Sequence, residues 1–273
     1  IGPGTYTVIT MIAAEYLGLP MEKVKFELGN SDFSPAPQQG GSWTTASVGS
    51  AAVGAANAIK LKLLQLAKAS TNSPFMNASI EEITFENGEI SLKSNPQQRL
   101  SYSKILRNNK FTEIVETYDS KPSPEREKYG MATHGAQFVE VKVDPDLGTV
   151  RVTRIVEATA CGKVMSLKTS HSQEMGGAVW GIGMALHEAT EVDHRYGRMT
   201  NASLADYHVP VNADVHLIET HFVEEEDKIV NELGVKGMGE VGLAGIPAAI
   251  ANAVFHATGK RVRDLPITPD KLL

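Results

Sequence analysis

Residues 135–144 read GAQFVEVKVD, Pro145-Asp146-Leu147-Gly148 turns the chain, and residues 149–159 return as TVRVTRIVEAT. Apolar and polar residues alternate along both arms, the period of a half-buried strand. The stretch therefore predicts an antiparallel hairpin. Residues 170–188 (SHSQEMGGAVWGIGMALHE) follow as a Gly-rich helix. A hairpin followed by a helix lacks the regular strand–helix–strand period of a doubly wound sheet, and the expected class is α+β.

Working outward, residues 5–17 (TYTVITMIAAEYL) carry apolar positions at helical spacing, with Gly18 able to cap the end. Residues 23–28 (KVKFEL) alternate and predict a strand. Residues 29–45 form a loop rich in Gly, Pro, Gln and Ser, of a length that is often functional. Residues 47–69 predict a helix whose first half is Ala, Gly and Ser. Those small residues suit either a close ligand or tight helix packing. A hairpin is expected over 79–93, turning at Asn87-Gly88, and a helix over 101–117. The Pro- and charge-rich stretch 118–130 reads as a connection between two lobes. Near the end, 247–258 predicts a helix with Pro247 in its first turn and Gly259 as its stop.

The chain has 273 residues, 42% hydrophobic and 21% charged, with a net charge of −6. It has no long basic run, so nucleic acid is not an expected partner. No apolar run reaches the roughly 20 residues that span a bilayer, so no membrane partner is expected either. Cys161 is the only cysteine, which excludes an intramolecular disulfide, a thiolate zinc site and an iron–sulfur cluster built by this chain. GxxxxGK[ST], HExxH and GxSxG are all missing. The eight histidines show no ligand spacing; His187 reads as a core or rim residue, and no protein metal site is expected. The opening Ile-Gly-Pro-Gly has no starting Met, and a glycine turn with nothing before it suggests a piece of a longer chain.

Three Gly-rich polar segments remain: 38–47 (QQGGSWTTAS), 170–177 (SHSQEMGG) and 234–242 (GVKGMGEVG). Each abuts a helix of small residues, where backbone N–H groups suit anions. Gln173 offers both a donor and an acceptor. Glu240 is a lone carboxylate among glycines, suited to standing beside a bound reactant as a general base. Together they predict one composite pocket for a large polar cofactor, with Glu240 buried among glycines and apolar residues. A phosphate-ligand-binding module without catalysis is the alternative, though an acid beside a phosphate would repel it.

Five further stretches, with the opening IGPGTYTVITMIAAEYLGLPMEKV, carry a family resemblance in order: GGSWTTASVGSAA, ACGKVMSLKTSHSQEMGGAVWGIGMALHEATEVD, RYGRMTNASLADYHVP, GVKGMGEVGLAGIPAAIANAV and VRDLPITPDKL. The chain resembles the C-terminal molybdopterin-binding part of the xanthine dehydrogenase and aldehyde oxidase family of molybdenum hydroxylases, in particular bacterial aldehyde-oxidoreductase large subunits. The resemblance implies a two-lobed cofactor-binding domain of mixed sheets and packed helices, with lobes 1–127 and 128–273. It makes Glu240 the catalytic base of GxGE, acting on Mo–OH while hydride passes to the sulfido ligand. It makes Gln173 a hydrogen-bond partner of the pterin, places Thr44, Thr45, Ala46 and Ser47 beside molybdenum and pterin, and makes Gly237 and Gly239 the glycines that bring backbone close to the metal's ligands. Gly2, Gly4 and Thr5 match a cofactor loop in which some members carry GQG; here Pro3 stands in place of the glutamine and removes one side-chain hydrogen bond. The implied cofactor is molybdenum–molybdopterin in the cytosine dinucleotide form. The implied partners are the upstream part of the large subunit and subunits carrying a 2Fe–2S cluster and FAD. The substrate would be an aldehyde or N-heterocycle, the expected compartment the cytoplasm or, by a partner's export signal, the periplasm. Without its upstream part the chain is expected to be inactive.

Overall fold

A computed structural model of the chain describes residues 2–70 and 72–273. Ile1, where the first expected lobe and the opening motif begin, lies outside them. The fold is α+β. The chain divides into two compact units, one of residues 2–129 and 228–234, the other of 130–227 and 235–273. The first break falls at 129/130, beside the expected 127/128. Segment 228–234 leaves the C-terminal half and packs with the N-terminal unit, where Val230 and Leu233 are buried. A Cβ placed on Gly49 would come within 2.8 Å of Leu233 Cδ1.

In the N-terminal unit α1 (Thr5–Leu17) ends at Gly18, whose φ of 63° closes the helix. Helix α2 (Ser50–Lys68) is entered through a π-turn at Thr45–Gly49. Strands β1 (Ile83–Glu86) and β2 (Glu89–Leu92) form the expected hairpin, and β3 (Asn95–Ser101) adds a third antiparallel strand. Helix α3 (Tyr102–Asn108) completes the unit. It is shorter than the expected 101–117. Asn109 closes onto the last carbonyls, Lys110 takes a φ of 60°, and Phe111 N–H bonds back to Leu106 O at 3.0 Å, the left-handed termination that stops a helix. The core joins Leu63, Phe75, Ile83, Ile90 and Ile105. The strand expected over 23–28 is absent. Val24 and Phe26 are less exposed than their neighbours, so the alternation survives, and Phe26 meets Tyr6 edge-on at 5.9 Å. No strand pairs with the segment among the described residues, and its alternation is satisfied by packing alone.

In the C-terminal unit β4 (His134–Val143) and β5 (Val150–Ala160) form the long hairpin as read from sequence. Helix α4 (Leu167–Leu186) follows, capped by the Ser166 side chain on Thr169 N–H. A two-residue hairpin, β6 (Val192–Asp193) with β7 (Arg198–Met199), precedes β8 (Leu217–Phe222), which pairs parallel to β5. Helices α5 (Val241–Ala244) and α6 (Ile246–Thr258) come last. The sheet order is β4-β5-β8. Ile155, Ile182, Ile250 and Val254 are fully or almost fully buried where α4 and α6 pack on this sheet. Each contributes about 1.5–3 kcal/mol by burial. The apolar run 241–258 is long and apolar enough in composition to cross a membrane. It is broken at Gly245 between two helices, and α6 places Ile246, Ile250 and Val254 in the core.

Candidate functional site

The candidate residues fall in both units. In the N-terminal unit Gly2 and Gly4 take φ of 83° and 80°, and Gly4 is the N-cap of α1. Thr5 opens that helix, and its hydroxyl accepts a hydrogen bond from Gln39 Nε2 at 2.7 Å. The loop 29–45 is thereby tied to the start of α1. Thr44 precedes the π-turn, which contains Thr45, Ala46 and Ser47, all half-buried. Ser47 donates through its backbone and its hydroxyl to Trp43 O, at 2.9 and 2.8 Å. Ser120 Oγ donates to Ser47 O at 3.1 Å. A π-turn widens the helix by one residue per turn and is frequent at functional sites. It is held here by side-chain bonds on both sides of Ser47.

In the C-terminal unit Gln173 lies half-buried on α4, one residue before Glu174. The Gly-rich segment reaches its site along the end of β5: Gly162 bridges to Val235, and Lys236 N–H bonds to Cys161 O at 2.9 Å. Lys236 Nζ pairs with Glu225 and Asp227. The Gly237 carbonyl accepts a hydrogen bond from Thr133 Oγ1. Gly239 and Glu240 then form a turn, and Glu240 is the N-cap of the four-residue helix α5.

Gln173 lies on α4, and Gly237, Gly239 and Glu240 lie in the loop that leads into α5, the helix that packs on α4. The contact is made by backbone. A Cβ on Gly177 would lie 2.8 Å from Leu243 N, and one on Gly242 would lie 2.8 Å from Glu174 O. Glycine at both places is what lets α5 lie directly on α4. The burial expected for Glu240 is not found: the residue is exposed. Its place at the turn before α5 explains this, because the loop packs inward through Gly242 rather than through Glu240.

Beneath the loop lie groups that sequence reading did not single out. Gln137 on β4 donates from Nε2 to Val241 O at 3.2 Å. Glu157 on β5 and Glu174 on α4 are 0% and 1% exposed, and their four carboxyl oxygens have no hydrogen-bond partner of normal geometry. Burial, and then repulsion from Glu174, pushes the Glu157 carboxyl up to about 8. Burial pushes Glu174 up to about 7, against the opposing pull of the Thr159 hydroxyl. Burial, followed by the Glu174 and Glu225 carboxyls, pushes the Cys161 thiol up to about 11, so Cys161 is an inert core thiol.

No group of three His, Cys, Asp or Glu side chains able to hold a metal occurs among the described residues. The donors at the candidate residues are instead backbone amides around Gly2–Thr5, hydroxyls at 44, 45 and 47, and the Gln173 amide. Within each unit, donors of these kinds suit acceptor-rich anionic groups.

Residues 1–216 match the model of the molybdopterin cofactor-binding domain. The whole chain is 38% identical to the aldehyde oxidoreductase molybdenum-binding subunit PaoC of Escherichia coli K12, and spans 35% of that protein's length. It is 29% identical to the nicotine 6-hydroxylase large subunit of Paenarthrobacter nicotinovorans, spanning 34% of it. Among solved structures, quinoline 2-oxidoreductase from Pseudomonas putida 86 superposes with a TM-score of 0.83 at 25% identity, over 99% of this chain and 35% of that one.

Proposed function

Given that this chain belongs to the molybdopterin cofactor-binding domain family of molybdenum hydroxylases, we propose that it is the Glu240-bearing, cofactor-holding part of an oxidoreductase that hydroxylates an aldehyde or an N-heterocycle. The observation that carries this reading is the seat of Glu240. The residue stands exposed at a turn whose backbone is clamped from three sides, by Thr133 on Gly237, Gln137 on Val241 and Glu174 on Gly242. A carboxylate held that way can meet a reactant with little reorganisation.

When bound, the molybdenum–molybdopterin group supplies the oxygen transfer and takes up the two electrons. The chain's own residues do the rest. Gln173 would hydrogen-bond the pterin edge, and the backbone at Gly237 and Gly239 would come close to the metal's ligands. Gly2, Gly4 and Thr5, with Thr44, Thr45, Ala46 and Ser47, would hold the cofactor in the N-terminal unit. Glu240 would take, on a carboxylate oxygen, the proton released as the attacking oxygen forms. We assign the cytosine dinucleotide form to the cofactor. We assign electron transfer to partner subunits carrying a 2Fe–2S cluster and FAD, and the remainder of the active enzyme to an upstream part of the large subunit.

Glu240→Gln in the complete enzyme tests the reading. The variant keeps the shape of the side chain and removes the base. We expect turnover to fall by roughly 10²–10⁴-fold, the contribution of general-base catalysis, with molybdenum content unchanged. Turnover close to wild type would refute the assignment of Glu240.

A further inference from the structure

The sheet of the C-terminal unit has an apolar face against α4 and α6, interrupted by one polar row. Gln137 on β4 is paired in register with Glu157 on β5, and Glu157 with Thr220 on β8. Residues paired across strands share a face, so the row runs the width of the sheet. Helix α4 lays His171 and Glu174 over it. His171 Nδ1 bonds Thr220 Oγ1, and Glu174 lies close enough to Glu157 to repel it. The groups facing the carboxyl pair are thus Gln137 from β4, Thr159 and Cys161 from β5, Thr220 from β8 and His171 from α4. The charged residues nearby, Glu225 and Lys236, act on Cys161; no cation offsets either carboxyl of the pair.

One member of this row and the Glu174 above it hold the loop that carries Glu240. Gln137 takes the Val241 carbonyl. Glu174 packs its Oε2 under Gly242, where a Cβ would meet it at 2.7 Å. Nothing else in the site explains why two carboxyls are buried there with only the Thr159 hydroxyl acting on Glu174, since each under-satisfied buried polar group costs stability.

We propose that Glu174, backed by Glu157, is a positioning residue for the Glu240 loop, and that the loop lifts from α4 with the loss of a proton from this pair. The part concerning Glu240 rests on the functional reading above; the proton-linked opening of residues 240–243 does not.

The sign follows from linkage. A carboxyl whose titration is raised in the closed state favours that state most below its ordinary value near 4.5, and the advantage is lost as pH rises toward the pair's own range of about 7 to 8. Lifting the loop gives Glu174 to water, where it ionises. Alkaline pH therefore loosens the loop.

Hydrogen exchange read by mass spectrometry on the complete protein containing this chain tests this directly. Corrected for intrinsic rates, protection of amides 241–243 should fall about tenfold per pH unit between roughly pH 5 and 7, one proton being released per opening. In the Glu157→Gln/Glu174→Gln double variant, which mimics the neutral pair, that slope should vanish. Infrared absorption from a protonated carboxyl should be present in the wild-type protein at neutral pH and lost in the variant. This second readout holds even if the variant folds poorly, because it starts from wild type. In the active holoenzyme kcat should fall as the loop loosens at alkaline pH, and that fall should weaken in the double variant. Loop protection that is flat with pH in the wild type, a slope that persists in the double variant, or no protonated carboxyl at neutral pH would each overturn the proposal. A wild-type loop that shows the slope in a protein without hydroxylase activity would uphold the proton linkage and sink the functional reading instead.

Discussion

Gly177 and Gly242 are where single atoms decide the geometry of the Glu240 loop. A methyl group on Gly177 would sit 2.8 Å from Leu243 N and 2.9 Å from Gly242 C, both backbone atoms that cannot step aside. Gly176, its neighbour on the same helix, meets nothing within 4 Å. Gly177→Ala and Gly242→Ala should each destabilise the protein by about 1–3 kcal/mol, as overpacking does, and should reduce turnover. Gly176→Ala should be neutral or stabilising by up to about 1 kcal/mol, because Ala is the better helix former. Urea unfolding of the three variants checks the contrast; equal effects at 176 and 177 would show that α5 does not lie on α4 as described. The Gly-rich run with its single carboxylate stands out in the sequence, and the packing role of Gly242 within it does not. The Glu157–Glu174 pair was not legible there. Alternation begun at Val150 and Val152 carries Val156 inward and Glu157 outward. A register shift opposite Glu140/Val141 adds Thr153 to β5 and turns Ile155, Glu157 and Thr159 inward instead.

Among the elements, α6 carries the core of the C-terminal unit. Ile246, Ile250 and Val254 lie at spacings of four along one face, and all are 0% exposed. Ile250→Ala should cost about 2–5 kcal/mol in chemical denaturation. A loss under 1 kcal/mol would mean that the helix is not packed on the sheet. The long elements were readable: α1 and the β4–β5 hairpin from periodicity, α2 and α4 from their small-residue and Gly-rich runs, and α6 from Pro247 and Gly259, all within a few residues at the ends. The elements that were missed lack a periodic signal. Strand β3 spells NPQQRLS, polar and mostly exposed, and is a strand only because β2 lies beside it. Strand β8 pairs parallel to β5 with α4 between them in sequence, a long-range contact that no local pattern encodes. The strand expected at 23–28 failed for the converse reason, an alternating pattern with no partner to pair with. The π-turn at Thr45–Gly49 straddles the expected end of the loop at 45 and start of the helix at 47, because its extra residue leaves no mark in composition.

At the scale of the molecule, the chain spans 34–36% of the relatives that it matches over its full length, and the activity we propose belongs to a larger assembly. The likeness to those relatives was carried by ordered motifs, and not by composition, which is that of any globular protein. What the fold adds is a reason for the motifs: a loop whose backbone is fixed by glycine contacts and by Thr133 and Gln137 from β4 and the segment before it, leaving Glu240 free at its tip. The most direct test of the account is molybdenum analysis together with pterin fluorescence, on this chain expressed alone and co-expressed with the upstream part of its large subunit. Molybdenum and pterin should both be present in the co-expressed protein, at close to one equivalent of each. Their absence from it, in cells where molybdenum cofactor synthesis is known to run, would contradict the account.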